Sequence, residues 1–231
     1  MRLLLIRHGQ TPANVLGSLD TAYPGPGLTR LGKRQARAIP KALANEPVDA
    51  IFASTLIRTQ LTAEPLAKRR ELDVAVRDGL HEIEAGQLEA RTDYASVRVY
   101  LETLFAWGTG DLDVRIPGGP NGLEFFARFD DDIQYIASQV SGTAVVFSHG
   151  AAVRAWVGGR VSNSSPRFVA ENQLDNTGIV ELVGSPGDWT LVSWQGNPVG
   201  GPALVDASAE DPTGETLSEA EAEAAGPTSA P

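Results

Sequence analysis

The 231-residue chain contains no cysteine. Disulfides, thiolate metal sites and cysteine nucleophiles are therefore excluded, and either redox environment is tolerated. Histidine is scarce too, so any imidazole chemistry rests on His8, His81 and His149. Long apolar runs are missing: the start has only LLLI at 3–6, far short of the roughly 20 residues a spanning helix needs. The opening MRLLLIRHGQ also lacks a cleavage-like segment. Neither a signal peptide nor membrane association is expected, and the cytoplasm is the default location.

A basic surface is missing as well. The formal net charge is −10, from 29 acids against 19 lysines and arginines. The imbalance is uneven. Residues 201–231 hold seven acids and no lysine or arginine, leaving 22 acids against 19 bases, a net −3, in residues 1–200. Neither part resembles a nucleic-acid-binding surface. A local group of arginines in the balanced part can still take a phosphorylated small molecule.

What is present suits one core, with 42% hydrophobic and 21% charged residues. RLLLI at 2–6, VDAIFAS at 48–54, LDVAVRD at 72–78 and TAVVFSH at 143–149 read as strands. GIVELVG and WTLVSWQG add closing strands, with a hairpin turn across SPGD. Between them lie helix-like stretches. Thr29 is a candidate N-cap for a helix towards Ala44, which Pro40 should kink or end early. The stretch 55–70 suits a helix interrupted or bent at Pro65, and 92–107, 122–140 and AAVRAWV are further helices. This βαβ-like succession predicts a three-layer α/β/α sandwich with a mostly parallel central sheet, in one domain over 1–200. Trp107, Trp156, Trp189 and Trp194 are expected in its core or rim. Residues 201–231, low in complexity and rich in Ala, Glu, Pro, Ser, Thr and Gly, read as a disordered acidic tail with at most a frayed helix near 217–225. A solubilising role is preferred for it over a partner-binding segment or a cover on the cationic pocket.

Active sites of α/β sheets gather beyond the carboxyl ends of the strands. His8 and His149 each follow such a strand, and each precedes a glycine. One histidine in that place is ordinarily a satisfied structural group; two at equivalent strand ends point to a shared site. Gly9 and Gly150 allow the turn out of each strand and leave room for ligand near the backbone. Arg7 adds a permanent forked cation suited to phosphate oxygens, and Arg58 sits at the start of the helix after the second strand. His81 has no such setting. No tight histidine/carboxylate spacing marks a metal site, so neither metal nor other cofactor is expected.

RHGQT at 7–11, Asn14, LTRLGKRQA at 28–36, STLIRTQLTA at 54–63, HEIEAG at 81–86, SHG at 148–150 and NTGI at 176–179 occur in that order. Together they resemble the histidine phosphatase superfamily, which includes the cofactor-dependent phosphoglycerate mutases. The resemblance implies a phosphoglycerate mutase-like fold and a hydrolase acting on a small-molecule phosphate ester. It makes His8 the phosphorylated nucleophile. Arg7, Arg58 and a protonated His149 surround the phosphoryl oxygens, and Asn14 is a further phosphate contact. Glu82 is the proton donor, with Glu84 a poorer match for that role, and Thr11 helps shape the pocket.

Glu82 and His149 stand 67 positions apart, the shorter phosphatase-type spacing, which favours hydrolysis over mutase-type transfer or a binding module without turnover. Two segments depart from the family pattern: AGQLEA at 85–90 and PGGPNG at 117–122. They bear on the leaving-group lining and not on the charged set.

Overall fold

Leu3 and Leu5 face one side of a central sheet and Leu4 and Ile6 the other, and both sides are buried. That is why the first strand shows no polar alternation. The protein's structure is a computed structural model that describes residues 1–209 and 211–214. Its strands are β1 (Arg2–Arg7), β2 (Ala50–Ser54), β3 (Val74–Arg77), β4 (Thr143–Ser148), β5 (Ile179–Ser185) and β6 (Asp188–Gln195). They lie in the order β3-β2-β4-β1-β5-β6. The first four are parallel, while β5 runs antiparallel to β1 and β6 antiparallel to β5.

The helices are α1 (Pro12–Val15), α2 (Arg30–Ala42), α3 (Ile57–Arg70), α4 (Tyr94–Gly108), α5 (Gly122–Gln139), α6 (Gly150–Arg160) and α7 (Pro166–Glu171). Ile39 of α2 and Ala63 and Leu66 of α3 cover the Leu4/Ile6 face. Phe126, Phe129 and Ile133 of α5 and Trp156 of α6 cover the opposite face. The result is the expected α/β/α sandwich. Trp107, Trp156 and Trp189 are in its core, and Trp194 packs at the edge of it.

Thr29 caps α2 as expected, its hydroxyl accepting from the Gly32 N–H at 3.0 Å. Pro40 lies in the last turn of α2 and the helix runs two residues past it; α3 runs unbroken through Pro65 to Arg70. A proline inside a helix costs about 3 kcal/mol. Burial of Ala63, Leu66 and Ala67 around Pro65 holds α3 in register despite that cost. The short α7 was not anticipated; Ser165 at its N-cap and Pro166 at its first position are its only sequence marks.

The tail meets the domain. Of residues 201–231, the described 201–209 and 211–214 pack back on the body and are not detached from it. Leu204 O accepts from Gln35 Nε2 at 2.9 Å, Gly214 O accepts from Leu174 N at 2.8 Å, and Pro212 and Gly214 are buried. Hydrogen bonds and charge hold this segment, not apolar area, so its composition carries no sign of the packing. Residues 210 and 215–231, including the Ala/Glu stretch, lie outside the described residues.

Candidate active site

The pairing of β1 with β4 sets Arg7 opposite Ser148, so the next residue of each strand, His8 and His149, emerges at the same edge. The His8 N–H donates to Ser148 O at 3.0 Å, and the two imidazoles lie 5.2 Å apart between centroids. His8 Nδ1 is 2.9 Å from Gly9 O. A carbonyl can only accept, so Nδ1 carries the hydrogen and Nε2 keeps its lone pair. His149 Nε2 lies 2.7 Å from Ser54 Oγ, which already accepts from the Leu56 N–H.

Burial first, then the Arg58 cation, holds both histidines well below the usual pKa of 6.5; Arg7 adds to this at His8, and His8 at His149. His149 is therefore neutral near pH 7, not protonated as expected. The Ser54 hydroxyl can donate to Nε2, which leaves a hydrogen on Nδ1.

Arg7 is fully buried. Its Nη1 donates to Leu174 O at 2.8 Å, and its Nη2 donates to Asp211 Oδ2 at 2.6 Å and Thr213 Oγ1 at 2.9 Å. Arg58 Nη2 donates to Asp20 O at 2.8 Å, while Nη1 stands 3.5 Å from the Asp20 carboxylate. Among the buried donor atoms without a hydrogen-bond partner in the described residues, Arg7 Nε, Arg58 Nη1 and His149 Nδ1 belong to these candidate site residues.

Thr11 caps α1 and forms a capping box with Asn14, whose Oδ1 accepts from the Thr11 N–H at 2.9 Å. This pins the Asn14 amide so that its Nδ2 donates to Asp211 Oδ1 at 3.2 Å. Asn176 and Thr177 join the site from the NTGI segment. Asn176 Nδ2 donates to His8 O at 3.1 Å, and the Thr177 N–H donates to Arg7 O at 3.1 Å. Thr177 adopts a φ of 65°, a left-handed conformation uncommon for a β-branched residue. It is held where it ties the approach to β5 to the end of β1. The sequence motifs include Asn176, Thr177 and Ser54 but give no role to their side chains; nothing marked Asp211 or Thr213.

Glu82 is buried and accepts backbone N–H bonds from Ile83 and Ala152 at 2.9 and 2.8 Å, and from Ala151 at 3.2 Å. It thereby caps α6, whose own N-cap, His149, makes no side-chain cap bond. Burial raises its pKa; those N–H groups and the Arg58 cation oppose the rise without cancelling it. A carboxyl that keeps its proton to higher pH suits an acid. Glu84 is different. Burial would raise it too, but the bond from His81 and the Arg128 cation outweigh that and hold it down to about 2. A carboxyl held ionised in that cluster is less suited to give up a proton than Glu82 is.

The two glycines serve close packing of the chain more than ligand clearance. A Cβ on Gly9 would stand 2.7 Å from the Gly32 carbonyl oxygen of α2. One on Gly150 would stand 2.5 Å from Thr213 O and 2.9 Å from Arg7 Nε. The space next to Gly9 is filled by α2, and that next to Gly150 by the tail. Structure thus brings Arg7, His8, Thr11, Asn14, Arg58, Glu82 and His149 into one buried cluster at the carboxyl edge of the parallel strands. Cations and oriented donors there can receive a phosphoryl group beside an imidazole lone pair.

The model of the histidine phosphatase superfamily (branch 1) matches residues 3–197. A PE-PGRS family protein of Mycobacterium tuberculosis is 39% identical, over 86% of this chain and 37% of its own length, so the chain spans little more than a third of that relative. Phosphoserine phosphatase 1 of Hydrogenobacter thermophilus is 29% identical over 67% of this chain and 74% of its own. Among solved structures, a mycobacterial glucosyl-3-phosphoglycerate phosphatase bound to VO3 aligns with a TM-score of 0.71 at 25% identity, covering 85% of this chain and 99% of that one.

Proposed function

The chain belongs to the histidine phosphatase superfamily, and on that footing we propose that it hydrolyses a small phosphorylated metabolite through a phosphohistidine on His8. Membership supports phosphatase chemistry generally. The observation that carries the proposal for this chain is the pairing of the His8 and His149 rings, 5.2 Å apart, within the field of the Arg7 and Arg58 cations, where Arg7 Nε, Arg58 Nη1 and His149 Nδ1 have no hydrogen-bond partner among the described residues. A buried donor left unsatisfied costs about 1–3 kcal/mol. Non-bridging phosphoryl oxygens would satisfy all three.

In this mechanism His8 Nε2 attacks phosphorus in line, its Nδ1–H held on Gly9 O. The two guanidinium groups and the Nδ1–H of neutral His149 stabilise charge on the transferring oxygens, with Asn14 Nδ2 as a further donor. Charge neutralisation thus comes from the chain's own arginines. Glu82, protonated through its raised pKa, gives its proton to the leaving alkoxide. Its carboxylate then takes a proton from the water that attacks phosphohistidine, which restores both residues.

Rapid quench with a radiolabelled phosphomonoester tests the covalent step. An acid-labile adduct mapped to His8 is expected, and a turning-over enzyme without it overturns the step. A screen across sugar phosphates, phosphoglycerates, nucleotides and phosphopeptides, with and without chelator, identifies the ester; turnover should survive the chelator.

A further inference from the structure

We propose that the described tail residues 206–209 and 211–214 act as an intramolecular ligand of the phosphate site, with the Asp211 carboxylate in the place of a substrate's phosphoryl oxygens. The inference rests on the pocket assignment above.

Asp211 is held by two pocket residues at once. Oδ2 accepts from Arg7 at 2.6 Å and Oδ1 from Asn14 Nδ2 at 3.2 Å. A carboxylate and a face of a phosphoryl group present oxygens with similar spacing and charge to the same donors, and the arginine fork suits both. Flanking residues fix the register. Asp206 Oδ2 accepts from Gln10 Nε2 at 2.8 Å, and Thr213 Oγ1 accepts from Arg7 at 2.9 Å. Gly214 lies so near the Arg7 guanidinium that a Cβ there would overlap Nη1. The segment carries acids and no lysine or arginine, as an occupant of a cationic pocket should.

The mimicry is partial. Asp211 brings two oxygens, and Arg7 Nε, Arg58 Nη1 and His149 Nδ1 remain without hydrogen-bond partners among the described residues. A phosphomonoester dianion offers more charge and a third oxygen, so it outcompetes the tail group for group. The tail holds its advantage through the tether, which raises its effective concentration to roughly the millimolar range. The pair therefore sets a substrate threshold: turnover becomes appreciable when phosphate ester displaces Asp211, and kcat itself is untouched.

The test compares the full-length protein with Asp211→Ala and with a chain ending at Ala209. In both variants the KM for p-nitrophenyl phosphate is expected to fall about three- to tenfold at unchanged kcat, as relief of a tethered competitor at millimolar effective concentration requires. The dissociation constants of inorganic phosphate and orthovanadate, measured by calorimetry, should fall by the same factor. A synthetic peptide of residues 206–214 should then compete with phosphate on the shortened protein, and a scrambled peptide should not. Unchanged or weaker phosphate and vanadate binding in both folded variants overturns the inference. Calorimetry needs no turnover, so an inactive protein that binds phosphate more tightly without Asp211 would count against the proposed hydrolysis and for the tail.

Discussion

Ser54 Oγ lies 2.7 Å from His149 Nε2, and through that bond β2 bears on how the imidazole just past β4 presents its proton. Ser54 is fully buried; its oxygen accepts from the Leu56 N–H and lies 3.1 Å from Thr59 Oγ1, and its own hydrogen can go to the lone pair of a neutral ring at Nε2. Removing the hydroxyl frees His149 to take the other tautomer. Ser54→Ala should lower kcat/KM about tenfold, the equivalent of one lost hydrogen bond of about 1.4 kcal/mol. Ser54→Thr keeps the hydroxyl and should recover part of the loss. Steady-state kinetics on the two variants decide it: equal activity of the alanine variant and wild type removes Ser54 from the mechanism.

Glu82→Gln separates proton donation from positioning. Alkyl phosphates, whose leaving groups need a proton, should lose kcat by about 10²–10³-fold, within the usual range for a general acid. p-Nitrophenyl phosphate should lose far less. Equal losses on both substrates would assign Glu82 to capping α6 and not to proton transfer.

The pH dependence follows from two opposite shifts. His8 must be neutral to attack, and its lowered pKa moves the acid limb of kcat/KM below 6.5. Glu82 must be protonated, and its raised pKa carries the alkaline limb above 4.5. Stability moves with the histidines. Both have depressed pKa values when folded, so the unfolded chain binds more protons as pH falls through 6.5, and stability present above that pH is lost below it. Thermal melts should show a lower Tm at pH 5 than at pH 7.5, with a smaller drop in the His8→Gln/His149→Gln double variant.

Gly32 and Gly9 form a close backbone crossing between α2 and the nucleophile loop. A Cβ on Gly32 would overlap the Gln10 carbonyl. Gly32→Ala should therefore destabilise the domain by about 1–3 kcal/mol, the usual range for overpacking, and lower kcat by displacing His8. Denaturant melts read the first effect and turnover the second. A stable, active alanine variant would show that the loop shifts freely.

The strand ends carrying His8 and His149 were legible because buried parallel strands read as apolar runs, and the residue after such a run lands at the site edge. The order of motifs then brought in Arg58 and Glu82, which are distant in sequence. Other features depend on packing across long separations. Ser54 is an ordinary strand serine until β2 is set beside β4. Gly9 suggests ligand clearance until α2 fills the space. Pro65 argues for a break until neighbouring side chains hold α3 straight. Asp211 is hidden most deeply, since one acid among seven in a polar segment shows nothing of the guanidinium it meets.

The hairpin of β5 and β6 has a consequence in parity. A chain that has finished a parallel strand stands at the carboxyl edge of the sheet, and each antiparallel strand carries it across. Two such crossings return it to the edge where His8 and His149 emerge. With one strand fewer or one more, the same tail would leave from the opposite edge, roughly 20 Å away at the usual rise per residue. An even number of reversals is what brings Asp211 within reach of Arg7.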